Sequence, residues 1–127
     1  IITVSLYGLL PDYSKILPIC KKHALKLIED NAQSFCSFYE EKAQGEFGHF
    51  SIYSLQRSKH LTSGDGGVIT TNDERLALLA RQYSDLGYST LKASPGSHLK
   101  DKRELQKPTF LRHNLIGMNY RMPEVCS

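Results

Sequence analysis

The sequence has no apolar run approaching the ~20 residues of a membrane-spanning helix. Its opening residues lack the charged region and apolar core of a secretory signal. A soluble, cytoplasmic protein without a membrane partner is therefore expected. There is no Cys-x-x-Cys either: Cys20, Cys36 and Cys126 are an odd number at wide spacings, which indicates neither a disulfide framework nor a zinc site and leaves three reduced thiols. Charge of one sign does not dominate. The 16 basic and 13 acidic residues are interspersed, with a net charge of +3 and one local cluster at Lys100, Lys102, Arg103 and Lys107, so nothing points to a nucleic-acid partner. No histidine has a partner at metal-ligand spacing; His49 and His60 read as bystanders, and no metal site is expected. Internal repeats and low-complexity tracts are absent. A glycine-rich segment exists, but no Gly-Lys-Ser/Thr follows it, which excludes a nucleotide P-loop.

What is present fits a globular fold. The 127 residues are 40% hydrophobic and 23% charged, enough for one modest core. The chain opens on Ile1 rather than Met, and residues 122–127 look like a helix opening that stops before it can bury a face; a fragment is expected. Ile1 to Leu6 reads as a buried strand ended by Gly8 and Pro11. Asp12 or Ser14 then caps a helix with Ile16, Leu17, Ile19 and Cys20 on one side, Pro18 in its first turns, and Lys21, Lys22 and His23 at its end, where cations are favoured. Leu25 to Asp30 is a second strand, which completes a βαβ unit with parallel strands. A polar group at the end of such a strand faces a ligand crevice, and Asp30 stands there.

Two more strands, His49 to Ser54 and Gly67 to Thr71, bracket the polar segment Leu55 to Gly66. Asn72 or Asp73 caps a helix over residues 74–86, with Leu76, Leu79, Ala80 and Tyr83 as its buried face and Gly87 as its stop. Residues 88–110 form a long polar segment with little periodicity, expected to be a long, mobile or partly disordered loop. Pro123 suits the first turn of a terminal helix.

Chemistry concentrates in Tyr53 to Thr71, YSLQRSKHLTSGDGGVITT, where a lysine, hydroxyls and glycines at 64, 66 and 67 lie between two strands. Such glycines let the backbone approach a ligand closely, although a hairpin turn uses the same residues. An acid ending an apolar strand, as Asp30 does, is a costly place for an unpaired charge.

Taken together, Glu29-Asp30-Asn31-Ala32-Gln33, the segment from Ser54 through Gln56 and Lys59 to Gly64-Asp65-Gly66-Gly67, the opening Leu6-Tyr7-Gly8, and Gly117-Met118-Asn119-Tyr120-Arg121-Met122 resemble the DegT/DnrJ/StrS family of nucleotide-sugar aminotransferases. The resemblance covers nearly the whole chain outside residues 88–110. It implies an α/β fold: part of the large domain of the pyridoxal-phosphate (PLP) dependent transferases of fold type I, aspartate aminotransferase-like, with βαβ units around a mixed, mainly parallel sheet across residues 1–127. It implies PLP as cofactor, Lys59 as its Schiff-base lysine and proton carrier, and Asp30 as the carboxylate holding the pyridine nitrogen protonated. Gln33 would lie near the ring hydroxyl or face and Ser54 at the phosphate. Gln56 belongs to the same cofactor set. Asn119, with Arg121 beside it, would reach the phosphate of a neighbouring subunit, because the family builds its sites at a homodimer interface. The substrates implied are a keto-sugar nucleotide and an amino acid donor, glutamate, in amino-sugar or polysaccharide biosynthesis.

The chain also departs from the pattern. His49 stands where many members carry Asp, and the family's N-terminal segment, with its phosphate contact and ring-stacking aromatic, and its small C-terminal domain are missing. Half a cofactor site makes the stretch by itself weak or inactive unless other chains complete it. Two alternatives stand beside the enzyme: a truncated non-catalytic homologue serving as a binding or dimerisation module, and a PLP-dependent sugar dehydratase. Dehydratases typically replace the Schiff-base lysine with histidine, and Lys59 argues against that.

Overall fold

The computed structural model describes residues 1–93 and 102–127. They form two compact units, Ile1–Asn72 with Met122–Ser127, and Asp73–Arg121.

In the first unit a four-stranded sheet has the order β1-β2-β5-β6, with β1 (Ile2–Val4), β2 (Ile28–Asp30), β5 (Phe50–Ser54) and β6 (Gly67–Thr70). β1, β2 and β5 are parallel, and β6 returns antiparallel to β5. This is the mixed, mainly parallel sheet expected, with α1 (Tyr13–Lys22) joining β1 to β2. A short hairpin of β3 (Phe38–Tyr39) and β4 (Lys42–Ala43) lies outside the expected strands; its two-residue strands are too short to show a periodicity.

Strand register sorts the side chains into rows. Thr3, Glu29, Ser51 and Thr70 are register partners, and the next row is Val4, Asp30, Ile52 and Ile69. Because successive residues of a strand point to opposite faces, the two rows lie on opposite sides of the sheet. The first row faces α1, whose Tyr13 and Cys20 pack with Leu27 into a small core, flanked by Leu10, Ile16, Tyr39 and Phe47. The Tyr13 ring stacks on Phe47 at a centroid distance of 4.0 Å and meets Tyr39 edge-on at 5.6 Å, both favourable aromatic geometries.

Several local expectations need correcting. Ile1 to Leu6 is not a buried strand: only Ile2–Val4 is extended, Ile2 and Val4 are exposed, and Leu6–Gly8 makes a 3-10 turn. The second strand is likewise shorter, beginning at Ile28 rather than Leu25. On α1, Leu17 and Ile19 are exposed, and Tyr13, Ile16 and Cys20 turn inward instead. Tyr13 does not stand out in the sequence because its hydroxyl masks an apolar ring that lies on the same stripe as Ile16 and Cys20. Pro18 lies inside the helix, not in its first turn, so the Ser14 carbonyl has no amide partner four residues on. Asp12 occupies the capping position, but its carboxylate is engaged by the Ser14 and Tyr39 hydroxyls and by Lys15 instead of by helix amides. These partners, Ser14 first, hold it well below the usual carboxylate range. Pro123 precedes a 3-10 turn, Glu124–Cys126, and not a regular helix.

The second unit is built on α2 (Glu74–Ser84), capped as expected by Asp73, whose Oδ1 accepts from the amides of Arg75 (2.9 Å) and Leu76 (3.1 Å). Its expected buried face is only partly covered: Leu76 and Ala80 are half-buried, Leu79 and Tyr83 are exposed, and the buried residue is Gln82, with Nε2 donating to the Tyr88 carbonyl at 3.4 Å. The reason lies in the tail, which returns to the end of the helix. Met118 N donates to Tyr83 O (2.7 Å) and Tyr120 N to Ser84 O (2.9 Å), so the tail satisfies the helix's last carbonyls and closes over the Gln82 side. Gly87 does stop the helix: it has φ +77°, and a Cβ there would overlap the Leu115 carbonyl. Within 88–110, Leu91 is buried and Lys102–Leu105 forms one helical turn, α3. The rest of the long-loop expectation, residues 94–101, falls outside the described residues.

Candidate functional site

The site grows from the end of β5. After Ser54 the chain makes a compact excursion and returns as β6, tied at its neck by Leu55 N to Gly66 O (2.9 Å) and Arg57 N to Gly64 O (3.0 Å). At its tip, Lys59 N donates to Gln56 O (2.9 Å), while the Gln56 side-chain oxygen accepts from Ser58 N (2.8 Å) and Ser58 Oγ (2.6 Å). Lys59 is thus carried on a tight, internally bonded turn. The return path demands glycine at 66, where φ is +123° and a Cβ would collide with the Met122 sulfur.

Two clefts meet at this turn. One, of about 240 Å³, is lined by Asn31, Ala32, Ser54, Tyr53, Lys59 and Val68 among others. The other, of about 360 Å³, is lined by Tyr7, Gly8, Gln33, Phe35, Ser58, Lys59 and His60. Lys59 and His60 belong to both, as does Phe35, whose ring lies near-parallel to the His60 ring at 6.4 Å. The structure therefore brings Lys59 together with Ser54 in one cleft and with Gln33 in the other. Gln56 lines neither; it shapes the turn beneath Lys59. Asp30 ends β2, one residue before the cleft wall at Asn31 and Ala32, and its Oδ1 accepts from Ala32 N at 3.0 Å. Asn119 is in the second unit, where Oδ1 accepts from Arg121 Nε at 3.1 Å, and Arg121 Nε also lies 3.3 Å from Asp85 Oδ1. Among the described residues no cluster of His, Cys, Asp and Glu could hold a metal, and no helix is long and apolar enough to cross a membrane.

Glu29, which the motif places beside Asp30, is the most heavily bonded carboxylate among the described residues. It is 0% exposed. Oε2 accepts from Gly45 N (2.8 Å) and the Tyr13 hydroxyl (3.2 Å). Oε1 accepts from Gly48 N (2.5 Å), Phe47 N (2.9 Å) and Ser51 Oγ (3.2 Å). Three backbone amides of one turn converge on a single side chain, the charge-assisted arrangement that makes a buried carboxylate tolerable. The turn can approach so closely because Gly45 has φ +93°, and any Cβ there would overlap the Tyr53 hydroxyl. Burial, with the Glu29 charge adding to it, pushes the Tyr13 phenol up to about 12. Burial also raises the Tyr53 phenol. The signal that could have revealed Glu29 was its position: a strand residue out of phase with Asp30 must face the opposite, covered side.

Farther along this wall, the Ser5 hydroxyl donates to Asn31 Oδ1 (2.9 Å), Gln44 Nε2 donates to Ser34 O (3.1 Å), and the Ser34 hydroxyl bonds Gln44 Oε1. The strand ends beside Lys59 thus stand on a hydrogen-bonded base.

A lysine turn at the edge of a mainly parallel sheet, following a βαβ unit that ends in an acid, is consistent with part of the large domain of fold type I PLP-dependent transferases. Solved structures agree. The structure of an aminotransferase from Psychrobacter cryohalolentis superposes with a TM-score of 0.77 at 30% identity, covering 98% of this chain and 30% of that one. An E. coli GDP-4-keto-6-deoxy-D-mannose-3-dehydratase with bound hydrated PLP gives 0.78 at 25% identity, over 98% of this chain and 32% of that one. The chain belongs to the DegT/DnrJ/EryC1/StrS aminotransferase family, which it matches over residues 1–127. GDP-perosamine synthase of Escherichia coli O157:H7 is 34% identical over 127 residues, all of this chain but 30% of the relative. The chain thus spans less than a third of the length of that relative.

Proposed function

We propose that the chain is the cofactor-carrying part of a nucleotide-sugar aminotransferase that takes an amino group from an amino acid, glutamate, and places it on a keto sugar. The observation that carries the reading is the seating of Lys59 on an internally hydrogen-bonded turn, lining one cleft with Ser54 and another with Gln33, in a chain of this family. The residues present fit PLP: an amine and a hydroxyl share one cleft, and a strand-end carboxylate stands one residue from its wall. PLP, when bound, supplies an electron sink at the carbon that exchanges its amino group.

The chain's own residues divide the work around that group. Lys59 Nζ is the amine that would hold PLP, and it would carry the proton to and from the reacting carbon. The Asp30 carboxylate would keep the proton on the pyridine nitrogen. Ser54 Oγ would donate to the phosphate, Gln33 would lie near the ring hydroxyl or face, and Gln56 fixes the turn that carries Lys59. Asn119 and Arg121 serve the phosphate of a partner subunit, which makes a homodimer the working form, in the cytoplasm. The PLP-bound neighbour whose name marks it as a dehydratase favours a second reading, sugar dehydration; Lys59, in place of the histidine typical of such enzymes, stands against it.

The test is spectroscopic. Native protein loaded with PLP should show a visible absorbance band that glutamate bleaches and a keto-sugar nucleotide restores. A colourless protein, or a band indifferent to glutamate, overturns the reading.

A further inference from the structure

The geometry points to Glu29 as a positioning residue that sets where Asp30 stands, by anchoring the covered side of β2 to the turn at residues 44–48. The inference rests on the proposed role of Asp30. β2 is only three residues long, and its two flanking ladders pair Glu29 with Thr3 and Ser51, and Asp30 with Val4 and Ile52. Three residues give a ladder few backbone bonds with which to resist sliding or twisting. Glu29 adds five side-chain bonds to the strand, all on the side away from Asp30: three to backbone amides of Gly45, Phe47 and Gly48, and two to the hydroxyls of Tyr13 and Ser51. α1, the 44–48 turn and β5 are thereby fastened to one carboxylate. Asp30 is the next residue, and its carbonyl accepts from Ser5 N at 2.9 Å. Any rotation of β2 that relieves a lost Glu29 bond swings the Asp30 carboxylate on the opposite face.

A purely structural role and a positioning role predict different results. Glu29→Gln keeps the size and one acceptor oxygen, but its amide nitrogen must face at least one of the amide donors that the carboxylate now satisfies. Ser51→Ala removes a single donor and leaves the carboxylate in place, so it keeps the question open should the first variant fail to fold. Both are compared with Asp30→Asn in native protein loaded with PLP, well below the melting temperature. The readouts are the PLP dissociation constant and the pH midpoint of the bound cofactor's absorbance band. If Glu29 positions Asp30, Glu29→Gln weakens PLP binding about tenfold and moves the midpoint in the same direction as Asp30→Asn, with Ser51→Ala shifting it less in that direction. The proposal is overturned if Asp30→Asn moves the midpoint while Glu29→Gln, or Ser51→Ala where the former does not fold, lowers only the melting temperature. Should Asp30→Asn itself leave band and affinity unchanged, the assignment of Asp30 fails first, and with it the reading on which the inference rests.

Discussion

The two faces of the sheet place neighbouring carboxylates in opposite surroundings. On the side under α1, Thr3, Glu29 and Ser51 are buried, polar and bonded. On the other, Asp30 shares its row with Val4, Ile52 and Ile69, which are 46%, 36% and 57% exposed. Glu29 is an acceptor saturated by fixed donors and unable to approach a ligand. Asp30 bonds one nearby amide and keeps the capacity to meet another partner. A single residue's shift in strand phase separates a structural acid from one available for chemistry, with no difference in side-chain class to announce it.

Substitutions can break or sharpen that contrast. The largest effect is expected at the turn: Lys59→Ala should lower amino transfer by about a thousandfold or more, the range of a lost proton carrier, and abolish the visible band, while leaving the chemical-denaturation midpoint unchanged. Next, on the open face, Asp30→Asn should reduce turnover about a hundredfold, ~2.7 kcal/mol of barrier, yet change folding stability by less than ~0.5 kcal/mol, because an amide oxygen can still accept from Ala32 N. Its neighbour should behave in reverse. Glu29→Ala leaves buried donors of the 44–48 turn without an acceptor and should destabilise the fold by about 3 kcal/mol or more in urea titrations; a loss as small as that of Asp30→Asn would erase the distinction between the faces.

The smallest effect concerns pH. The Tyr13 phenol is raised from 10.0 to about 12 by burial first, so the folded state favours its neutral form. The stabilisation is complete below pH 10, where the unfolded phenol is also neutral, and is lost as the pH climbs through the interval to about 12. Tyr13→Phe should flatten that part of the stability profile, measured as melting temperature against pH.

Much of the first unit was legible in the sequence because β-branched runs, a helical stripe and glycine stops fall at readable spacings. The parallel pairing of β1 with β2 follows from local patterns, and so, in the second unit, does the capping of α2 by Asp73. What escaped notice depended on contacts distant in sequence. Gln82 is buried and Leu79 exposed because residues 117–120 fold back on the end of α2, which no periodicity within the helix can show. Glu29 read as part of a motif instead of as a hub, since its donors come from residues 13, 45, 47, 48 and 51. At the site, the Lys59 turn was legible from its glycines and hydroxyls. The different surroundings of Gln56 and Gln33, one inside the turn and one in a cleft, were not, because the side chain alone does not tell a glutamine that bonds its own turn from one that lines a cleft.

The account depends most directly on where a cofactor becomes attached. Native protein incubated with PLP, reduced with borohydride and digested should yield one modified peptide by mass spectrometry, with the pyridoxyl mass on Lys59 and none in the Lys59→Ala variant. Labelling spread over exposed lysines such as Lys15 and Lys21, with Lys59 unmodified, would contradict it.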